Sequence, residues 1–366
     1  MSSTEGTADT FASQERAWMR RALRLAREGW GQTAPNPMVG AVVVHEGVIV
    51  GEGAHLRWGA PHAEPAALAM AGARARGATV YVTLEPCNHH GKTPPCVDAL
   101  IAAGVVRVVV ATADPNPVAA GGAERLRAAG ITVEFGILEH AARDLNAPFL
   151  FAATGAPRPW VTLKLALDAD GALAPADRSQ RWLTGAESRA LVHRLRAGSD
   201  AVGVGIGTVL ADDPQLTVRE AGAPRVLPRR VVFDRGSRLP TTSALARSAT
   251  GIPVTVLANH PDGSRRQALA DLGVDCLVAD GLEAQLQQLR KIHGVRALLV
   301  EGGAALADAL WQGNLVDRLI IFQASVRLGS DALRPFGGER PYEASRIVAQ
   351  QRLGPDLMTE YAIHEP

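Results

Sequence analysis

Apolar residues recur at helical spacing over 14–28 (Trp18, Leu23, Leu25) and stop at Gly29, which predicts a first helix. Residues 38–44 and 48–50 then read as two short strands turned at Glu46-Gly47, a hairpin signal. The pattern goes on with a helix over 62–75 and a strand over 79–84. Residues 85–95 hold no periodicity and are rich in Pro, His and Gly, so they read as a loop. A helix over 96–103, a buried strand over 105–111, a helix over 122–129 and a strand over 131–135 follow. This alternation implies a helix-covered, three-layer α/β domain.

Around 152–159 the chain turns to Ala, Gly and Pro, the best candidate linker. A second alternating pattern starts beyond it: strand 160–167, helix 186–196, strand 200–205, strands 230–233 and 254–258, and helix 282–291. Strand 297–300 runs into Glu301-Gly302-Gly303 and a helix, and strands near 318–323 and 357–363 close the domain. The apolar strand 274–278 places Cys276 in the core. No fixed-period repeat is present. The expected organisation is a flexible tail over 1–13 and domains over 14–152 and 153–366.

Composition narrows the function. Of 366 residues 47% are hydrophobic, enough for sizeable cores, and 366 residues suit about two domains. Lys plus Arg (38) nearly balances Asp plus Glu (37), so no general basic field is available to hold nucleic acid. The three cysteines do not form an even-numbered disulfide set, which favours a reducing cytoplasm. Residues 1–13 lack the apolar core of a signal peptide, and no apolar run approaches the ~20 residues that cross a bilayer.

The chemistry concentrates in three phrases: His62-Ala63-Glu64, Pro86-Cys87 and Pro94-Pro95-Cys96. One imidazole and two thiolates suit Zn²⁺, and three protein ligands leave the fourth tetrahedral position open to water, as in catalytic zinc sites. Glu64 is then free to move protons. The order H-x-E, P-C, C resembles the signature of the zinc-dependent nucleobase deaminases. Both His62 and Cys96 follow a proline at an expected helix start, a position that favours the Cys96 thiolate. Taken singly, each of these residues would more often be a surface histidine or a small buried thiol; the set in this order points to metal.

The spacing of the thiols separates this chain from nucleic-acid deaminases, which carry P-C-x-x-C. Here residues 88–95 lie between Cys87 and Cys96. The run Thr83-Leu-Glu-Pro-Cys-Asn-His-His-Gly-Lys-Thr-Pro-Pro-Cys96, with Pro35-Asn-Pro-Met-Val-Gly40 and His55 and Gly59 upstream, closely resembles the deaminase half of the bifunctional riboflavin-biosynthesis enzymes. The resemblance implies a cytidine-deaminase-like domain acting on a pyrimidinone that carries ribose 5-phosphate. It also implies that Asn36, His55, His89 and Lys92 hold the ring and the phosphate. Read alone, Asn36 between prolines is a turn residue and Lys92 a solvated cation.

In the second half, glycines 203, 205 and 207 do not match the dinucleotide fingerprint G-x-G-x-x-G, so a Rossmann reading is weak. Glu301-Gly302-Gly303 between strand and helix is a second glycine turn with a helix start ready for an anion. Lys164-Leu-Ala-Leu-Asp-Ala-Asp-Gly171, Trp182-Leu-Thr-Gly185, His193-Arg-Leu-Arg196 and the run 200–219 together resemble the reductase half of the same family. That half has a dihydrofolate-reductase-like α/β fold and uses NADPH. The resemblance places Ala166, Trp182, Thr208, Asp212 and Gly303 on the cofactor. It places Gln180, Arg196, Leu216, Arg219 and Glu301 on the sugar phosphate, and gives Lys164, Asp212 and Glu301 the proton that accompanies hydride transfer. Mutual pairing of these charges is the purely structural alternative.

Four positions depart from the family phrases: Asn88 and Asp168 stand where relatives carry Ser, Ala169 where they carry Leu, and Gln180 where a smaller polar residue is usual. An extra carboxylate at Asp168 is expected to repel a phosphorylated substrate. The expected protein is thus a cytoplasmic bifunctional enzyme with Zn²⁺ and NADPH. Its expected partners are a phosphoribosyl-pyrimidine, no nucleic acid, no membrane, and at least one further copy of itself. The rival readings are a nucleic-acid or nucleoside deaminase with an appended binding domain, and a non-catalytic nucleotide-binding protein with structural zinc.

Overall fold

The computed structural model describes residues 3–91, 94–175 and 183–366, which divide into two compact units, one ending at Gly155 and the next starting at Ala156. The division falls after Gly155 rather than after Ala152 because a helix runs through the expected boundary to Ala153.

The first unit is built on α1 (Ser3–Ala26), β1 (Gly40–His45), β2 (Val48–Ala54), α2 (Ala63–Ala71), β3 (Thr79–Val82), α3 (Cys96–Ala103), β4 (Arg107–Val110), α4 (Gly122–Ala128), β5 (Thr132–Phe135), α5 (Glu139–Leu145) and α6 (Ala147–Ala153). Its sheet runs β2-β1-β3-β4-β5, antiparallel across β2, β1 and β3 and parallel from β3 onward. Side chains alternate across the pleat. Ala41 and Val43 face a layer formed with Leu68, Leu100 and Leu126. Val42 and Val44 face Trp18, Met19 and Leu23 of α1. This is the three-layer arrangement expected.

Three local differences have clear causes. The helix starts at Ser3, so the polar stretch expected as a tail is a helical extension; no Gly or Pro between Thr7 and Ser13 breaks it, and Phe11 is exposed, so no core is needed there. Strand β2 reaches Ala54 because Gly51 and Gly53 interrupt the apolar pattern for a packing reason. A Cβ on Gly53 would stand 2.3 Å from the Ala63 carbonyl oxygen, so α2 lies directly on the β2 backbone. Finally, α5 and α6 are too short for a periodic signal.

The second unit contains β6 (Trp160–Leu167), α7 (Ala186–Ala197), β7 (Ala201–Gly205), α8 (Ile206–Asp212), β8 (Arg229–Phe233), α9 (Ala244–Arg247), β9 (Val254–Ala258), α10 (Gly263–Ala270), β10 (Val274–Val278), α11 (Leu282–His293), β11 (Ala297–Glu301), α12 (Ala304–Gln312), β12 (Arg318–Gln323), β13 (Arg346–Leu353) and β14 (Asp356–Ala362). They form a sheet ordered β10-β9-β8-β7-β11-β6-β12-β14-β13. All pairs from β10 to β12 are parallel, and β14 and β13 close the edge antiparallel. On β6, Val161, Leu163, Leu165 and Leu167 enter one core, which leaves Lys164 and Ala166 together on the opposite face.

The glycine run lies in regular structure, in line with the strand expected over 200–205. Gly203 and Gly205 belong to β7, Gly205 starts α8, and a Cβ on Gly203 would press on the Phe233 ring at 3.0 Å. Cys276 lies on β10 and is only partly buried, since among the described residues that strand is the edge of the sheet.

Asp168 also differs from expectation. Its carboxylate is fully buried and accepts the amides of Asp170 (2.8 Å), Ala172 (2.7 Å) and Leu328 (2.8 Å). Against burial, these donors hold its carboxyl below the usual range. The charge is spent on closing a turn and is not offered to a substrate.

Candidate active sites

In the first unit, His62 caps the start of α2 and Cys96 opens α3, while Cys87 lies on the loop between β3 and α3. The ligand atoms of the three lie within 4.8 Å of one another. His62 Nδ1 is 3.2 Å from Cys96 Sγ and 3.6 Å from Cys87 Sγ. A tetrahedral Zn²⁺ with its usual bond lengths puts nitrogen and sulfur donors about 3.5 Å apart, so the donor set fits zinc. The helix start acts on a different thiol from the one expected. The Cys96 amide donates to Cys87 Sγ at 3.4 Å, so the first turn of α3 favours the Cys87 thiolate. Hydrogen bonding from the Cys96 thiol, helped by His62 and that amide and opposed by burial, pulls the Cys87 thiol below its usual range.

Glu64 is buried in the first turn of α2, beside but outside the three-donor set, and burial pushes its carboxyl up. His55 is fixed in one tautomer. Its Nδ1 donates to the Pro61 carbonyl at 3.1 Å, and burial lowers its pKa, so Nε2 accepts from Asn36 Nδ2 at 3.3 Å. Asn36 therefore keeps Oδ1 for another donor. These residues line a cavity of about 240 Å³ with His89, whose Nδ1 is buried and has no hydrogen-bond partner among the described residues. Lys92 lies outside the described residues.

The cavity also contains polar residues that sequence reasoning missed: Glu85, Asp114 and Asn116. Glu85 Oε1 accepts the Ala123 amide (2.9 Å), and Asp114 Oδ1 accepts the Asn116 amide (2.9 Å). Asn146 is a further omission. Its amide exchanges two hydrogen bonds with the Met38 backbone, at 2.9 and 2.8 Å, and anchors the loop that presents Asn36. The Asp-x-Asn step after an apolar strand was a signal available in the sequence; Asn146, distant in sequence from its partner, offered none.

In the second unit, parallel pairing of β6 with β11 puts Lys164 beside Glu301 in register. Arg196 of α7 reaches Glu301 with Nε to Oε1 at 2.5 Å and Nη2 to Oε2 at 3.0 Å. Burial lowers Lys164, with Glu301 opposing; Glu301 is held low by Arg196 and Lys164 despite burial. Thr208 and the Gly303 turn converge, since a Cβ on Gly303 would lie 3.6 Å from Thr208 Oγ1. Ala166 shares the Lys164 face of β6. Leu216 is buried at φ 52, and Arg219 is exposed with Nη1 donating to Gln215 at 3.1 Å. Asp212 ends α8, exposed, and among the described residues makes no hydrogen bond or ion pair to Lys164, Arg196 or Glu301. Gln180 and Trp182 lie outside the described residues.

Each unit matches a known protein family. Residues 12–112 match the cytidine and deoxycytidylate deaminase zinc-binding region, and residues 159–359 match the RibD C-terminal domain. The chain is 41% identical over 350 residues to riboflavin biosynthesis protein RibD of Aquifex aeolicus, covering 94% of this chain and 97% of that one. It is 44% identical over 339 residues to RibD of Escherichia coli K12, covering 87% and 90%. Among solved structures, Acinetobacter baumannii RibD superposes with a TM-score of 0.79 at 42% identity, covering 96% of this chain and 99% of that one. A Thermotoga maritima diaminohydroxyphosphoribosylaminopyrimidine deaminase/5-amino-6-(5-phosphoribosylamino)uracil reductase gives 0.81 at 34% identity, with the same coverage.

Fold and site together define a zinc-dependent deaminase domain of the cytidine-deaminase type joined to an NADPH-dependent reductase domain of the dihydrofolate-reductase type. The chain belongs to the RibD family. It is a bifunctional deaminase and reductase of riboflavin biosynthesis. Among the described residues no helix is long and apolar enough to cross a membrane.

Proposed function

We propose that the first unit removes the 2-amino group of 2,5-diamino-6-(5-phosphoribosylamino)pyrimidin-4(3H)-one by hydrolysis. The second unit then reduces the ribosyl side chain with NADPH to give 5-amino-6-(5-phosphoribitylamino)uracil. The observation that carries this reading is the buried Glu64 carboxyl beside, and not within, a His62/Cys87/Cys96 donor set that opens into a cavity.

Zinc held by those three residues would supply Lewis acidity for a water in the fourth position. Glu64 takes one proton from the attacking water and delivers it to the ring nitrogen, then takes the second from the added hydroxyl and passes it to the amine, which leaves as ammonia as the C–N bond breaks and the carbonyl forms. The raised pKa of Glu64 suits a group that must both accept and return a proton. Asn36 through Oδ1, His55 and His89 orient the ring and sugar, and Lys92 meets the phosphate as a point charge.

In the second unit NADPH would supply the hydride to C1′ of the ribosyl group. The opened ring oxygen needs a proton, and on this reading Lys164, in register beside Glu301, gives it. Thr208, Asp212, Ala166, Trp182 and the Gly303 turn hold the cofactor. Gln180, Arg196, Leu216, Arg219 and Glu301 hold the phosphosugar. On the family resemblance we place the enzyme in the cytoplasm as at least a homodimer, which light scattering and cell fractionation test.

The deciding experiment incubates the zinc-loaded enzyme anaerobically with the diaminopyrimidinone ribotide, with and without NADPH. Ammonia release should be independent of NADPH, while NADPH oxidation should follow deamination. Ammonia release that persists after complete zinc removal would overturn the deaminase assignment.

A further inference from the structure

We propose that His193 is a positioning residue of the reductase site, holding the Arg219 backbone in place through its Nδ1. The inference rests on the reading that Arg219 meets the phosphosugar, and it adds how that residue is set.

The segment 213–220 has a strained backbone. Asp213, Leu216 and Glu220, none of them glycine, have φ values of 40°, 52° and 56°. Such conformations persist only where the surroundings impose them. Four contacts do so here. Asp213 Oδ1 accepts the Ala244 amide at 2.8 Å. The Gln215 carbonyl lies 3.5 Å from Arg230 Nη1, and the Thr217 carbonyl accepts Arg196 Nη1 at 2.8 Å. The Arg219 amide donates to His193 Nδ1 at 3.2 Å.

Two of those anchors are costly to bury, which marks them as more than incidental. Arg230 is 1% exposed, faces hydroxyl and carbonyl oxygens of Ser248, Ile252 and Gln215, and leaves Nε without a partner among the described residues. His193 is buried on α7. Its Nδ1 is also 3.2 Å from the Thr217 carbonyl, but one nitrogen of a neutral ring cannot both donate and accept. The Thr217 carbonyl already has Arg196 as donor. The lone pair of Nδ1 therefore goes to the Arg219 amide, and Nε2 carries the proton. The charged groups around the ring are Arg196 on its own helix, Arg219 and Glu220 on the segment, and Glu301. Burial and the two arginines disfavour the imidazolium, the form that would turn the Nδ1 contact from acceptor to donor and release Arg219.

The test compares His193→Ala with His193→Asn, whose Oδ1 stands at the same bond distance from Cβ as Nδ1 does. Amide hydrogen exchange of the peptide containing Arg219 should quicken in His193→Ala and return toward the parent rate in His193→Asn. In the same proteins, His193→Ala should raise the reductase KM for 5-amino-6-(5-phosphoribosylamino)uracil about tenfold, the scale of one lost hydrogen bond, with NADPH affinity by fluorescence titration unchanged. Ammonia release by the other unit reports that the chain is folded. Unchanged exchange in His193→Ala overturns the positioning role. Quickened exchange with an unchanged KM, together with an unchanged KM in Arg219→Ala, overturns instead the placement of Arg219 on the substrate.

Discussion

Arg196 holds Glu301 in a two-pronged grip, Nε to Oε1 and Nη2 to Oε2, while Lys164 stands in register beside that carboxylate on the next strand. Arg196 and Lys164 thereby hold the Glu301 carboxyl below its usual range despite burial. Removing the Arg196 guanidinium leaves a carboxylate uncompensated where water is scarce, which costs more than breaking an exposed pair would. Arg196→Lys keeps the charge but not the planar fork. Reductase kcat/KM should fall by about tenfold in Arg196→Lys and about 10²-fold in Arg196→Ala, with ammonia release unaffected. Equal rates in the parent and both variants would remove the pair from the reductase site.

Glu64 is the acid that the fold buries beside the metal donors without using it as one of them. Glu64→Gln should retain one zinc per chain by elemental analysis yet lose deamination by about 10²-fold or more. Reduction of the supplied deaminated intermediate should continue at the parent rate, because its groups belong to the other unit. Turnover that survives the substitution would mean that the proton moves by another route.

Asp114 gives a pH-dependent prediction. Burial, reinforced by Glu85 and Cys87 and opposed by the Asn116 amide and His89, pushes its carboxyl up from 3.8 to about 6. A carboxyl raised in the fold binds its proton more tightly folded than unfolded. Its contribution is fully present below pH 3.8 and disappears as pH rises through about 6. Asp114→Asn removes that titration. In urea melts of the zinc-loaded enzyme, the stability of Asp114→Asn relative to the parent should be about 1 kcal/mol more favourable at pH 8 than at pH 5. The same difference at both values would show that Asp114 titrates normally.

Arg219 is exposed, and its guanidinium donates to the neutral Gln215 side chain of its own segment, a setting suited to meeting an anion. Arg219→Ala should raise the reductase KM for the phosphorylated substrate by about tenfold or more while that for NADPH stays within about twofold. Parallel increases in the two constants would argue for a cofactor role.

Asp168, a residue that departs from the family phrase, is a structural acceptor for three backbone amides. Asp168→Ser should lower stability by about 1–3 kcal/mol, because a hydroxyl cannot satisfy all three buried donors. It should not improve substrate affinity. A stable variant with a lower KM would restore the idea of electrostatic repulsion.

The metal donors and Glu64 were legible along the chain because their spacing is local to helix starts: His62 immediately precedes α2, Glu64 lies in its first turn, and Cys96 begins α3. The long strands were equally legible, with β6 matching the expected 160–167, since Val161, Leu163, Leu165 and Leu167 recur at every second position, the period of a strand. Short elements such as α5, α8 and α9 were not, because so few residues carry no resolvable period.

What the chain by itself determined was the metal-donor set with Glu64 beside it and the alternation of elements, both written in near neighbours. Tertiary structure alone decided which distant residues meet. The α3 amide serves Cys87 instead of Cys96, Asn146 clasps Met38, and Asp168 turns inward to amides. The pairing of β6 with β11 brings Lys164 to Glu301. Hydrogen bonds and strand register act over a few ångströms of space irrespective of separation along the chain, so no local pattern of residues can encode them.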